Sequence, residues 1–178
     1  MMLGRRLPAW KEVAAVYGIA VLIIYAWSLV WFFWKYPSWI LFLNSGEIYA
    51  LLAYVLTVNF MESLFVLFFP IAASIFLPLK WFHDQFIARG SALVISILVF
   101  FILMANQFDG RTKFNQNLIE LLIIPYTIFT LFFVFAAGKN IIMHTVIENI
   151  ADRTIVFIYI SGFLSIISLI TVIIRNLY

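Results

Sequence analysis

One acidic side chain stands in the middle of a long apolar segment. Glu62 is the only charged residue between Ile48 and Leu79, with Asn59 three residues before it and Ser63 directly after it. On a helix these three side chains fall within one face. An ionised carboxylate in lipid is costly, which favours the protonated form and indicates a proton or cation site. The alternative is a neutral Glu62 that hydrogen-bonds a neighbouring helix and serves packing alone.

A second set of polar side chains lies in two segments between apolar runs. His144, Glu148 and Asp152 follow one another at intervals of four residues and therefore line up on one helix face. His83 and Asp84 belong to another polar segment on the same predicted side of the membrane. Side chains of these types can bind a metal or act as acid and base at a lipid headgroup. The alternative is a solvated polar surface, since no H-E-x-x-H spacing is present.

The composition places these residues in a membrane protein. Of 178 residues, 66% are hydrophobic and 11% are charged, whereas about 25% are charged in soluble domains. A soluble globule with so apolar a surface would aggregate, and a nucleic-acid-binding domain needs basic surface that is missing here. The chain has no Cys, which excludes thiolate catalysis and Cys-ligated metals. No motif predicts a catalytic residue, a cofactor or a metal site.

Five segments are long enough to cross a bilayer, which takes about 20 mostly apolar residues in a helix. The sequence therefore predicts an all-α bundle with five transmembrane helices in a single domain, 1–178. The predicted spans are 12–34, 46–79, 91–107, 118–138 and 154–174.

The second span is unusually long. Residues 48–79 would measure about 48 Å as one helix, against a hydrocarbon core of about 30 Å. Pro70 and Pro78 each remove a helix hydrogen bond in its second half. These features predict a helix as far as Phe69, a kink at Pro70 and a tilted or interfacial continuation. A re-entrant excursion over 70–79 is the alternative.

The segment 140–152 has the pattern of a short amphipathic helix lying flat in the membrane interface. Apolar side chains share one arc, and polar ones share the other. The apolar arc comprises Ile142, Met143, Val146, Ile147 and Ile150.

Small side chains indicate where helices approach one another closely. Ser161, Gly162, Ser165 and Ser168 lie largely on one face of the last span. Ala14 and Gly18 are four residues apart in the first span. Such stripes favour close contacts between helices in a membrane.

The distribution of basic residues predicts the orientation. Five spans place the termini on opposite sides, and the N-terminal side then carries more Lys and Arg than the other side. The seven on the N-terminal side are Arg5, Arg6, Lys11, Lys80, Arg89, Lys139 and Arg153. The four on the opposite side are Lys35, Arg111, Lys113 and Arg175. The positive-inside rule places the N-terminus in the cytoplasm and the C-terminus outside.

Without a catalytic motif, the sequence favours a non-catalytic accessory or scaffold subunit of a membrane complex. One alternative is a small transporter or channel protomer that uses Glu62 as a proton or cation site. A second alternative is a membrane enzyme acting on lipid headgroups at the cytoplasmic interface. The expected partners are the lipid bilayer and other membrane subunits or further copies of the chain, and not nucleic acid.

Overall fold

The computed structural model describes residues 8–108 and 116–177, nearly all of them helical. The helices are α1 (Trp10–Trp39), α2 (Ser45–Phe76), α3 (Leu79–Phe82), α4 (Phe86–Phe108), α5 (Gln116–Lys139) and α6 (Ile141–Leu177). A short 3-10 turn, His83–Gln85, joins α3 to α4. All but α3 belong to helical segments long and apolar enough to cross a membrane. The predicted five-span α-helical bundle is confirmed, and the chain is a multi-pass membrane protein.

Helix α1 is longer than its predicted span at both ends. It begins after Ala9, whose backbone N–H donates to the Glu12 carboxylate over 2.9 Å. It continues through Pro37 and ends at Trp39. The aromatic residues that follow the apolar run therefore prolong the first helix.

Helix α2 begins at a reciprocal cap. The Glu47 N–H donates to the Asn44 side-chain oxygen over 2.9 Å, and the Asn44 N–H donates to the Glu47 carboxylate over 2.8 Å. This pairing satisfies N–H groups that have no partner within the helix. At its other end α2 continues through Pro70 to Phe76. Residues 70–76 therefore extend α2 and form no re-entrant turn.

Helix α6 joins two elements that the sequence predicts separately. The predicted interfacial segment and the last span form one helix without a break. Its 37 residues measure about 55 Å, well beyond a hydrocarbon core of about 30 Å. In the predicted apolar arc, Ile147 is buried against Ala92 and Ala137, whereas Val146 and Ile150 are exposed. The location of this part of α6 in the interface remains a prediction.

Helix α1 lies at the centre of the bundle and contacts α2, α4 and α6. Most of its buried side chains are small or branched, such as Ala15, Val16 and Ile19, and two, Tyr25 and Phe32, are aromatic. Helix α5 lies at the edge, against α4 and α6, and most of its large apolar side chains are exposed.

Small residues set the distance between α1 and α6, as predicted. Ser161, Ser165 and Ser168 are buried. A Cβ atom on Gly18 would lie 2.9 Å from the backbone carbon and 2.9 Å from the backbone oxygen of Thr154. Because that neighbour is backbone, relief of the contact requires the two helices to separate.

Gly18→Ala is therefore expected to destabilise the bundle, by about 1–3 kcal/mol for overpacking of this kind. Gly162→Ala is the matched control, because a Cβ atom there meets no atom within 4 Å. Unfolding in detergent, followed by Trp fluorescence, should show a lower midpoint for Gly18→Ala and an unchanged or higher one for Gly162→Ala. Equal midpoints for the two variants would show that the α1–α6 contact is not tight.

Candidate functional site

Helix α2 presents two stripes of side chains around the middle of its length. The inner stripe faces the bundle and is buried; it consists of Leu56, Asn59, Ser63, Val66 and Pro70. The outer stripe is exposed; it consists of Val58, Met61, Glu62 and Phe65. The three predicted site residues are therefore divided, with Asn59 and Ser63 on the inner stripe and Glu62 on the outer one.

Asn59 and Ser63 tie α2 to α1. The Ser28 hydroxyl donates to the Asn59 side-chain oxygen over 2.7 Å, and the hydroxyls of Tyr17 and Ser63 lie 3.0 Å apart. Asn59 is only 2% exposed, and its amide nitrogen has no hydrogen-bond partner among the described residues. Hydrogen bonds between helices of this kind hold membrane bundles together. The packing interpretation therefore fits these two residues.

Glu62 is different, because no hydrogen bond or ion pair to its carboxyl group occurs within residues 8–108 and 116–177. The Ser28–Asn59 contact gives its depth: α1 and α2 run antiparallel, so Glu62 lies near the level of Ile24. The charge-free run of α1 extends over 13–34, and Ile24 lies at its centre. An exposed acid without a partner therefore stands close to the middle of the membrane.

Glu62 lines a cleft of about 1000 Å³ between α1, α2 and α4. Its walls are mostly aliphatic and aromatic, as at Ile24 and Leu98, and the hydrogen-bonded side chains of Ser28 and Asn59 also line it. On α1 the lining extends from Ile23 to Trp39, about 24 Å at 1.5 Å per residue. The cleft thus extends from the end of the apolar run of α1 to the level of Glu62. We call these two ends the mouth and the floor.

The mouth contains a cation among aromatic rings. The Lys35 ammonium group lies 5.7 Å from the centre of the Trp31 ring, and Trp39 and Tyr54 line the same end. The Tyr54 hydroxyl donates to the Asn176 side chain over 3.2 Å, which ties α2 to the end of α6. From the sequence Lys35 counts only as one positive charge beside a membrane span. Its place directly after an aromatic run was the one signal of a headgroup-level position.

Arg89 counts in the sequence as one basic residue on the N-terminal side of the membrane, and the structure places it within a helix. It lies within α4, and its guanidinium carbon is 5.9 Å from the centre of the Trp81 ring. Gly138, near the end of α5, leaves the space that the Arg89 and Gln85 side chains occupy. Arg89 therefore packs between helices and is separate from the cleft.

The predicted cluster of histidines and acids is only partly assembled. His144 Nδ1 and the Glu148 carboxylate form one pair, 3.3 Å apart, on the first turns of α6. Asp84 and Asp152 are exposed, and His83 lies in the 3-10 turn. In the described part of the chain, no three His, Cys, Asp or Glu side chains are grouped so that they could hold a metal ion.

Comparison with protein-family models, with curated proteins and with solved structures found no match. Function is therefore inferred from the side chains of the cleft. Among the described residues, those side chains are one cation at the mouth, one acid at the floor, and walls that are mostly apolar but include the polar pair Ser28 and Asn59.

Ser28→Ala is expected to weaken the α1–α2 wall of the cleft, because it leaves the buried Asn59 amide without its hydrogen bond. Losses for such bonds between membrane helices are about 0.5–2 kcal/mol. Ser38→Ala on the same helix is the control, since Ser38 is exposed. Stability can be measured by denaturant titration in mixed micelles. If both variants unfold at the wild-type denaturant concentration, the Ser28–Asn59 bond contributes nothing to the bundle.

Proposed function

We propose that this membrane protein binds an amphiphilic ligand in the cleft between α1, α2 and α4. The observation that carries the proposal is the position of Glu62, exposed at mid-depth, without a partner and at the floor of a large cleft. An acid facing lipid at this depth costs about 2.5–3.5 kcal/mol on translocon scales. A ligand in the cleft covers the carboxyl group and separates it from the surrounding bilayer.

The size and lining of the cleft support a ligand of lipid type. Ligand pockets measure about 300–1,000 Å³ and are mostly apolar, with a few polar groups that fix orientation. The volume of this cleft lies at the upper end of that range. Its rim includes the exposed side chains of Met61, Phe65 and Phe101, so it opens sideways between α2 and α4. A ligand dissolved in the bilayer therefore has a direct route into it.

A proton or cation site at Glu62 receives less support from the same geometry. The Lys35 ammonium group lies at the mouth, and like charges repel across the low-dielectric walls of a cleft. Cations that enter from the mouth would pass this group before they reach Glu62. The apolar walls also offer few oxygen ligands that could replace the water around a bound cation.

An accessory subunit is the second candidate, and the same outer stripe of α2 favours it. A helix of another membrane protein lying along Val58, Met61 and Phe65 would also cover Glu62 and shield it from lipid. The exposed apolar side chains of α5 offer additional surface for such a complex. On this interpretation a polar side chain of the partner protein hydrogen-bonds the Glu62 carboxyl group.

Filling the cleft tests the first candidate. Val58 lines the cleft and is 52% exposed, whereas Val156 is 60% exposed on α6 and does not line it. Native mass spectrometry of the chain released from lipid nanodiscs should show one retained amphiphile per chain. Val58→Trp should reduce ligand affinity about tenfold, which corresponds to about 1.4 kcal/mol. Val156→Trp should leave it unchanged, and equal retention by the two variants would place the ligand elsewhere.

Photocrosslinking distinguishes the two candidates. Benzoylphenylalanine in place of Met61 is expected to crosslink to small amphiphiles in the native membrane, because Met61 lies on the rim of the cleft. The control is the same substitution at Ile160, which is exposed on α6. Crosslinked products are read by their mass. A specific adduct with a second protein at position 61, absent at position 160, would favour the accessory subunit instead.

A further inference from the structure

We infer that the ligand of the cleft has an anionic headgroup, which Lys35 holds at the mouth. The inference rests on the proposed function and specifies the class of amphiphile. It is carried by the separation of charges along the cleft and by the donors around Lys35.

The mouth offers hydrogen-bond donors and one positive charge. Lys35, Trp31 and Trp39 line it, and their polar groups are an ammonium and two indole N–H groups, which donate and do not accept. The Tyr54 hydroxyl also lies at this end, and its proton is given to Asn176. A carboxylate or phosphate group matches such a set, because its oxygens accept charge-assisted hydrogen bonds from these donors.

Among the described residues, the lining of the mouth contains no acidic side chain. Glu62 and Lys35 are the charged groups that line the cleft within that part of the chain. Glu47 lies closer to the mouth along α2, but its carboxylate caps its own helix through the Asn44 N–H. No described side chain of the lining therefore neutralises Lys35, and its counter-charge can come from a ligand.

The floor is too far from the mouth to compete for the headgroup. Ile24, at the level of Glu62, precedes Lys35 by 11 residues along α1, a rise of about 16 Å. A headgroup on Lys35 thus leaves the apolar tail between aliphatic and aromatic walls and beside a carboxyl group. At that distance the Glu62 carboxyl group is well separated from an anionic headgroup on Lys35.

The opposite arrangement makes a different prediction. A cationic amphiphile would place its ammonium group on Glu62 and its tail toward Lys35. That arrangement buries a charge at mid-depth, which is costly. It also places an apolar tail against the hydrogen-bond donors of the mouth and leaves them without acceptors, which is a second cost. The two arrangements differ in the charge that the ligand must have.

The test uses amphiphiles with one saturated chain and different headgroups. Palmitate, hexadecylamine and hexadecanol are titrated into the purified full chain in an uncharged detergent. Binding is followed by Trp fluorescence, because Trp27, Trp31 and Trp39 line the cleft. The variants are Lys35→Gln and Lys139→Gln; Lys139 is a matched control that lies 5.6 Å from the centre of the Phe135 ring and outside the cleft.

We expect palmitate to bind the wild-type chain at least tenfold more tightly than hexadecylamine. Lys35→Gln should remove most of this preference, and Lys139→Gln should retain it. Tighter binding of hexadecylamine, or equal effects of the two substitutions, would overturn the inference. Palmitoyl lysophosphatidate replaces palmitate in a second series. If it binds more tightly than palmitate, the headgroup source is a phospholipid, and the reverse order indicates a free fatty acid.

Failure of the inference and failure of the proposed function give different results. If Val58→Trp weakens binding of every probe about tenfold and Lys35→Gln changes no preference, the cleft binds a ligand without selecting its charge. If Val58→Trp binds all probes as the wild type does, the cleft is not the binding site and both proposals fail. A Lys35→Gln chain that unfolds is recognised by its denaturation midpoint. Lys35→Met, which keeps the length of the side chain and removes its charge, then replaces it and should lose the preference for palmitate in the same way.

Discussion

A carboxyl group in the middle of a membrane must be bonded, neutral or covered, and this constraint connects most of the features of the bundle. Asn59 and Ser63, the polar neighbours of Glu62, are buried and hydrogen-bonded to α1. Glu62 lies on the adjoining exposed stripe and lines the cleft together with Asn59. On the proposed function, a ligand or another chain in that cleft covers the carboxyl group.

Helix α1 takes part in two different kinds of contact along its length. Near Gly18 the backbone of α6 comes within contact distance of α1, and small side chains lie in the interface, as is typical of close helix contacts in membranes. Farther along α1, Trp27, Trp31 and Trp39 line the cleft that Glu62 also lines.

The sequence predicts the parts of this structure that the bilayer dictates. Span number follows from segment length and apolar composition, and Glu62 is conspicuous because an acid is rare in such a segment. The continuity of α6 was not predicted, since Asp152 and Arg153 mark a polar boundary although no Pro interrupts Ile141–Leu177. The sequence could not predict the cleft or the position of Lys35 at its mouth, because both depend on how three helices pack.

Asn59 and Glu62 share one arc by periodicity, but only packing shows that Asn59 is buried and Glu62 is exposed.

Infrared spectroscopy of the Glu62 carboxyl group tests most directly whether a ligand in the cleft covers it. The C=O stretch of a protonated carboxyl group responds to the polarity of its surroundings as well as to hydrogen bonding, and Glu62→Gln identifies the band by its absence. We expect this band to shift when palmitate is added to the ligand-free wild-type chain, and to stay in place in Val58→Trp. If the band of the wild-type chain stays at the same frequency after palmitate is added, palmitate does not cover Glu62. That result would contradict the proposed role of the cleft.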